Sequence, residues 1–144
     1  DLKDLLIIQD KSGKLVLFGK YIVYPLNDGY FRACYLHEQS HDFTTLQNAV
    51  AWCTLHNANK LNECYKLRHL DIKLTGLFMD LAIHRKLRKT ALNDEDKLLY
   101  TNKIQDDTYR KKQVISEIMS YIHCSRIIQS QKFKRLKEQN FSHM

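Results

Sequence analysis

The chain has 144 residues and a mass of 17.1 kDa, enough for one domain or for two small lobes. Hydrophobic residues make up 44% and charged residues 27%, with one proline and four glycines, and this composition excludes collagen-like, linker-like and most disordered classes. No apolar run approaches the ~18 residues of a membrane span, and no basic segment precedes the first apolar stretch. We therefore expect neither a membrane partner nor a signal peptide.

The net charge is confined to the second part of the chain. Residues 1–60 hold 6 Lys and Arg against 6 Asp and Glu, whereas residues 61–144 hold 17 against 10, so the whole excess of +7 lies there. A basic segment of this kind favours an acidic partner, including nucleic acid. A solvated helical surface rich in Lys and Arg explains the same charge, and the sequence leaves both interpretations open.

Residues 1–59 have the pattern of a small antiparallel sheet followed by one helix. Short apolar or β-branched runs predict strands at residues 5–8, 15–18, 21–24 and 30–36. The sequence Asn27-Asp28-Gly29 predicts a hairpin turn, and Gly19 interrupts an apolar run in a way that indicates a bulge. The polar residues 38–42 predict a further turn.

A change of period near residue 44 predicts the helix. Thr44 and Gln47 have the spacing of a capping box, in which each side chain bonds the backbone N–H of the other residue. An apolar stripe with steps of three and four follows, formed by Leu46, Ala49, Val50 and Cys53. The helix is expected to end near residues 57–59 and to pack on one face of the sheet.

Residues 60–144 predict a long antiparallel helical hairpin with a basic C-terminal tail. The first helix carries a heptad seam of leucines: Leu67, Leu70, Leu74, Leu77 and Leu81. Asn93 is a suitable N-cap for a second helix, which begins with three acidic residues and is expected to continue to about residue 135. Its residues predicted to face the leucines are Ile104, Ile115, Ile118 and Ile122. The predicted fold class is α+β, with the two lobes divided between residues 59 and 60.

Each helix of the hairpin has more apolar positions than a single seam needs. Four of the surplus residues are predicted to contact another copy of the chain or another protein: Phe78, Ile83, Tyr121 and Ile128. The alternative is that they pack back on the first lobe. If they are exposed, oligomerisation through the hairpin has a physical cause.

The sequence contains no recognisable catalytic or nucleotide-binding motif. Two segments, Cys34-x2-His37-x3-His41 and Cys53-x2-His56, contain residue types that bind zinc. Cys34 and His37 would point to opposite faces of a strand, however, and Cys53 belongs to the apolar stripe of the helix. We predict a non-enzymatic protein with no metal site, no cofactor and no small-molecule substrate. Its four widely spaced cysteines are expected to be reduced thiols.

Part of the first lobe resembles sheet-plus-helix DNA-binding modules, such as those of plant ethylene-response factors and integrase arm-binding domains. The similar segments are Tyr-Phe-Arg-Ala at 30–33, Phe-Thr-Thr-Leu at 43–46 and Ala-Val-Ala at 49–51. Those modules read DNA with basic residues on the sheet, whereas residues 21–43 here contain Arg32 as the one Lys or Arg. Phosphate contact is therefore predicted for two helical clusters instead: Arg85, Lys86, Arg88 and Lys89, and Lys132, Lys134, Arg135 and Lys137.

Four further segments resemble small uncharacterised proteins of tailed phages that infect marine bacteria. They span residues 18–25, 48–57, 80–85 and 116–122. This resemblance implies a phage origin, a location in the virion or the host cytoplasm, and a role in the virion or its assembly.

Two functions are consistent with these observations. The first is a structural or assembly protein that docks through its helical hairpin onto itself or onto other assembly proteins. The alternative is a basic nucleic-acid-binding protein, such as a DNA-packaging or regulatory factor.

Overall fold

A computed structural model describes residues 6–140 and confirms the predicted α+β architecture. The five strands are β1 (Ile7–Gln9), β2 (Leu15–Leu17), β3 (Tyr21–Pro25), β4 (Phe31–Tyr35) and β5 (His41–Phe43). The five helices are α1 (Leu46–Asn57), α2 (Leu61–Thr90), α3 (Asp94–Cys124), α4 (Arg126–Gln129) and α5 (Gln131–Asn140). Leu5 of the first predicted strand lies outside the described residues, as do residues 1–4 and 141–144.

The strands form an antiparallel meander in chain order, because each is joined to the next by a short turn. The predicted hairpin turn at residues 27–29 is confirmed, with Gly29 at a φ of 88°. Gly19 lies in the tight turn between β2 and β3 rather than in a bulge. There Phe18 and Gly19 both have positive φ, and the backbone N–H of Lys20 donates to the carbonyl of Leu17 over 3.1 Å.

Strand β5 is missing from the sequence prediction, which assigned residues 38–42 to a turn. The turn is shorter, and His41–Phe43 pairs with β4. Phe43 lies opposite Phe31, and the Arg32 guanidinium forms a two-bond ion pair with Asp42, at 2.8 and 3.2 Å. These cross-strand contacts stabilise a three-residue strand that has no apolar alternation of its own.

Helix α1 lies at the centre of the fold. It packs on β3, β4 and β5 on one side and on α2, α3 and α4 on the other, so nearly all of its first two turns is buried. The predicted helix is confirmed, but its N-cap is one residue later than predicted. Thr45 accepts the backbone N–H of Asn48, while the Thr44 hydroxyl donates to the carboxylate of Asp71 on α2 over 2.8 Å. The Thr44 hydroxyl is therefore bonded to a distant segment of the chain and does not form the predicted capping box.

Helices α2 and α3 form the predicted hairpin, joined by residues 91–93. All five leucines of the seam are buried, and Asn93 caps α3 by accepting the backbone N–H of Asp96 over 2.8 Å. From α3, Val114, Ile118 and Ile122 are buried with them. Ile104 is half-buried, and Ile115 is 36% exposed at the edge of the seam, where it lines a groove together with Leu74.

The second long helix is shorter than predicted. It ends at Cys124, because Ser125 turns the chain and caps α4 by accepting the backbone N–H of Ile128. Ser130 separates α4 from α5 in the same manner, by accepting the N–H of Phe133. These breaks bring Ile127, Ile128 and Phe133 back onto the core.

The buried core is continuous from the sheet through α1 to the hairpin and α5. It crosses the predicted lobe boundary between residues 59 and 60, which falls in the turn between α1 and α2. Among residues 6–140, no helix combines the length and apolar character that crossing a membrane requires.

Candidate protein-docking surface

The four predicted interface residues occupy different environments. Phe78 and Ile83 are 39% and 51% exposed on α2, and Tyr121 is half-buried on α3. Ile128 is 6% exposed within the chain's own core, so it is removed from the predicted set. The break at Ser125 is the physical cause, since it turns α4 inward.

Phe78 lies in an apolar groove between α2, α3 and the start of α1. The groove has a volume of about 250 Å³, and its exposed rim includes Phe78, Ile115 and Met119. Its floor contains the buried Leu74 and Ile118. The ammonium of Lys111 lies 5.8 Å from the centre of the Phe78 ring, close enough for a cation–π contact. We call this feature the Phe78 groove.

A second apolar surface lies on the side of α2 opposite the leucine seam. Its five large side chains are exposed by between 38% and 74%: Tyr65, Ile72, Met79, Ile83 and Leu87. They are offset from the seam by about two residues, which corresponds to roughly 200° around a helix. We call this surface the outer face of α2. The sequence places Ile72 and Ile83 off the leucine seam, but Tyr65, Met79 and Leu87 were missed as members of the same face. A second heptad spacing displaced from the leucines was the signal that could have found them.

Gly76 lies on the outer face, near the middle of α2. A Cβ atom added there would have no neighbour within 4 Å, so packing among the described residues does not require a glycine. A glycine inside a helix costs ~1 kcal/mol relative to alanine. Gly76 therefore lowers the stability of α2, and no contact among the described residues compensates for this loss.

The exposed face of the sheet carries a row of apolar side chains. Ile8, Val16, Ile22 and Cys34 form a row across four strands. Beside them, Arg32 is paired with Asp42, and this guanidinium lowers the pKa of the Asp42 carboxyl. The one Lys or Arg of residues 21–43 is thus paired with a carboxylate, and the Lys14 ammonium lies 4.5 Å from the centre of the Tyr24 ring on the same face.

The two predicted basic clusters lie on different helices. Arg85, Lys86, Arg88 and Lys89 are exposed in the last turns of α2, where cations complement the helix dipole. On α5, Lys134 and Arg135 are exposed, and Lys132 and Lys137 are half-buried.

Of the residues considered for zinc, His41, Cys53 and His56 are used in packing, whereas His37 is exposed and Cys34 lies on the exposed face of the sheet. Trp52 lies between His41 and His56, with ring centres 5.1 and 4.9 Å away, and the Tyr21 hydroxyl is 2.6 Å from Nδ1 of His56. Burial raises the pKa of the Cys53 thiol far above its usual value, which keeps it protonated. Within residues 6–140 no group of three His, Cys, Asp or Glu side chains has the arrangement of a metal site.

Comparison of the chain with protein-family models, with curated proteins and with solved structures finds no match.

Proposed function

We propose that this chain is a non-enzymatic assembly protein that docks onto other copies of itself through its helical hairpin. The observation that carries the proposal is the outer face of α2, where large apolar side chains follow heptad spacing and point away from the core. A surface helix ordinarily presents polar residues on that side. Contiguous exposed apolar surface is typical of sites where proteins associate.

The Phe78 groove adds a second apolar surface on the neighbouring side of the hairpin. The resemblance of four segments to tailed-phage proteins favours the same kind of role, as a virion component or an assembly factor in the host cytoplasm.

Sedimentation velocity of the full chain tests this proposal. We expect species heavier than the 17.1 kDa monomer, in a proportion that rises with protein concentration. Ile83→Ser should lower that proportion and leave the melting midpoint unchanged, because Ile83 is already 51% exposed in the single chain. Leu92→Ser is the matched control, since Leu92 is 98% exposed in the turn between the hairpin helices. A wild-type chain that sediments as a monomer at every concentration would overturn the proposal.

Nucleic-acid binding is the second candidate, and the exposed cluster at the end of α2 is the observation that favours it. Binding to random duplex DNA should then weaken steeply with salt, because phosphate contacts release counterions. Arg88→Ala with Lys89→Ala should reduce the salt slope by about 0.9 for each lost contact. Lys20→Ala, in the exposed turn between β2 and β3, is the control. Binding that is absent at low salt would exclude this function.

A further inference from the structure

We infer that the occupant of the outer face of α2 is the same face of a second copy, with the two helices antiparallel and related by a twofold axis near residues 77 and 78. This inference rests on the proposed function and specifies its geometry. Ile72, Gly76, Met79 and Ile83 are separated by steps of four, three and four, which are the steps of a coiled-coil seam. All four are exposed in the single chain.

The positions of Gly76 and Met79 favour the antiparallel direction. Reversing one helix about the proposed axis places Gly76 opposite Met79 of the second copy, and Ile72 opposite Ile83. The long, flexible Met79 side chain then fills the space left by the missing side chain of Gly76. Parallel pairing in register would place the two glycines against each other and leave a hollow without packing contacts. In this arrangement Gly76 makes room for Met79 of the second copy. Packing within the described residues gives no such reason for a glycine at this position.

Charges beside the stripe complement each other in the same arrangement. Lys73 and Asp80 are exposed on one flank of the outer face, and they are two helical turns apart, about 10 Å along the axis. Neither forms an ion pair with another residue in the described part of the chain. Antiparallel pairing brings Lys73 beside Asp80 of the second copy, and symmetry repeats the pair. Parallel pairing in register would leave these opposite charges two turns apart.

The available area agrees with a dimer that dissociates on dilution. Taking ~200 Å² for a large side chain, the five apolar residues of the outer face expose roughly 550 Å² per copy. Two copies would bury roughly 1,100 Å², which is near the lower limit for specific protein interfaces.

Charge exchange tests the arrangement in the full chain, with the dimer dissociation constant measured by sedimentation equilibrium. Lys73→Glu and Asp80→Lys should each weaken the dimer about tenfold, because each brings like charges together twice. The double variant should restore wild-type affinity. Arg85→Glu, an exposed charge on the opposite side of α2, is the control and should change little. Melting midpoints of all variants show whether each chain is folded.

Spin labels give the direction of the helices independently. With Cys34 and Cys124 replaced by Ser, a single label at Tyr65→Cys should give a distance of roughly 37 Å in the antiparallel dimer, since residue 65 then lies near residue 90 of the second copy. In a parallel dimer the two labels would be about 10 Å apart.

The outcomes separate the inference from the proposed function. Rescue by the double variant together with the long distance supports the inference. The inference is overturned if both single charge variants associate as tightly as the wild type, or if the spin labels are about 10 Å apart. Either result leaves the proposed assembly function intact. A wild-type chain that never associates overturns both.

Discussion

Three donors converge on the carboxylate of Asp71, a residue of α2 that is 1% exposed. They are the backbone N–H and hydroxyl of Thr44 and the side-chain amide of Asn48, at distances between 2.8 and 3.3 Å. These bonds join the end of β5 and the start of α1 to the hairpin. Because a buried carboxylate is tolerated where its hydrogen bonds are made, Asp71 fixes how these layers meet.

Asp71→Ala should therefore lower the free energy of unfolding by about 3 kcal/mol or more, since it leaves buried donors without an acceptor. Urea denaturation followed by circular dichroism measures the change. Glu117→Ala, which removes an exposed carboxylate from α3, should stay within about 0.5 kcal/mol of the wild type. Equal losses in the two variants would show that the hydrogen bonds to Asp71 contribute little.

His41 gives the stability a dependence on pH. Burial lowers the pKa of His41, the nearby Arg68 and His56 lower it further, and Asp42 and Glu38 oppose them. As pH falls below about 6.5, the unfolded chain gains a proton at this histidine before the folded chain does. Stability is thus lost between the unfolded and folded pKa values, and the loss is complete below the folded pKa.

The His41→Gln variant should lose less stability than the wild type between pH 7.5 and pH 5. Urea midpoints at several pH values within that range measure the difference. His123→Gln, which replaces an exposed histidine on α3, serves as the control and should follow the wild-type curve. A His41→Gln variant whose pH dependence equals that of the wild type would contradict the argument.

At the scale of elements, burial of the leucine seam stabilises the hairpin. Leu74 is 3% exposed, whereas Leu98 at the start of α3 is 62% exposed. Leu74→Ala should cost roughly 2–5 kcal/mol, because it removes buried apolar surface and leaves a cavity. Leu98→Ala makes the same chemical change on the surface and should cost less than about 0.5 kcal/mol. Similar denaturation midpoints for the two variants would show that the seam is not closed.

At the scale of the whole molecule, the continuous core predicts one cooperative unfolding transition. Trp52, the single tryptophan, lies on α1 and packs against Tyr21 of β3 and Phe43 of β5, so its fluorescence reports on the first lobe. The far-ultraviolet circular dichroism signal comes mostly from α2 and α3. We expect the two signals to give the same urea midpoint, because the buried contacts of α1 join the lobes. Two separate midpoints would instead indicate that residues 1–59 and 60–144 unfold as independent domains.

The sequence by itself determined the elements that depend on local periodicity and capping. The leucine seam, the Asn93 cap and the turn at residues 27–29 follow from neighbouring residues, whose spacing determines which side chains share a face or satisfy a helix end. The same information predicted the α+β class. It also indicated surplus apolar residues on the hairpin, and Phe78 and Ile83 are exposed as that interpretation requires.

Tertiary structure decided the features that depend on contacts between distant segments. Strand β5 exists because Arg32 and Phe31 provide partners for it, and Thr44 leaves the predicted cap because Asp71 accepts its hydroxyl. The break at Ser125 turns Ile128 inward, which removed it from the predicted interface. In each case a local pattern allowed several conformations of similar free energy, and burial or a hydrogen bond from a residue far away in the chain selected one of them.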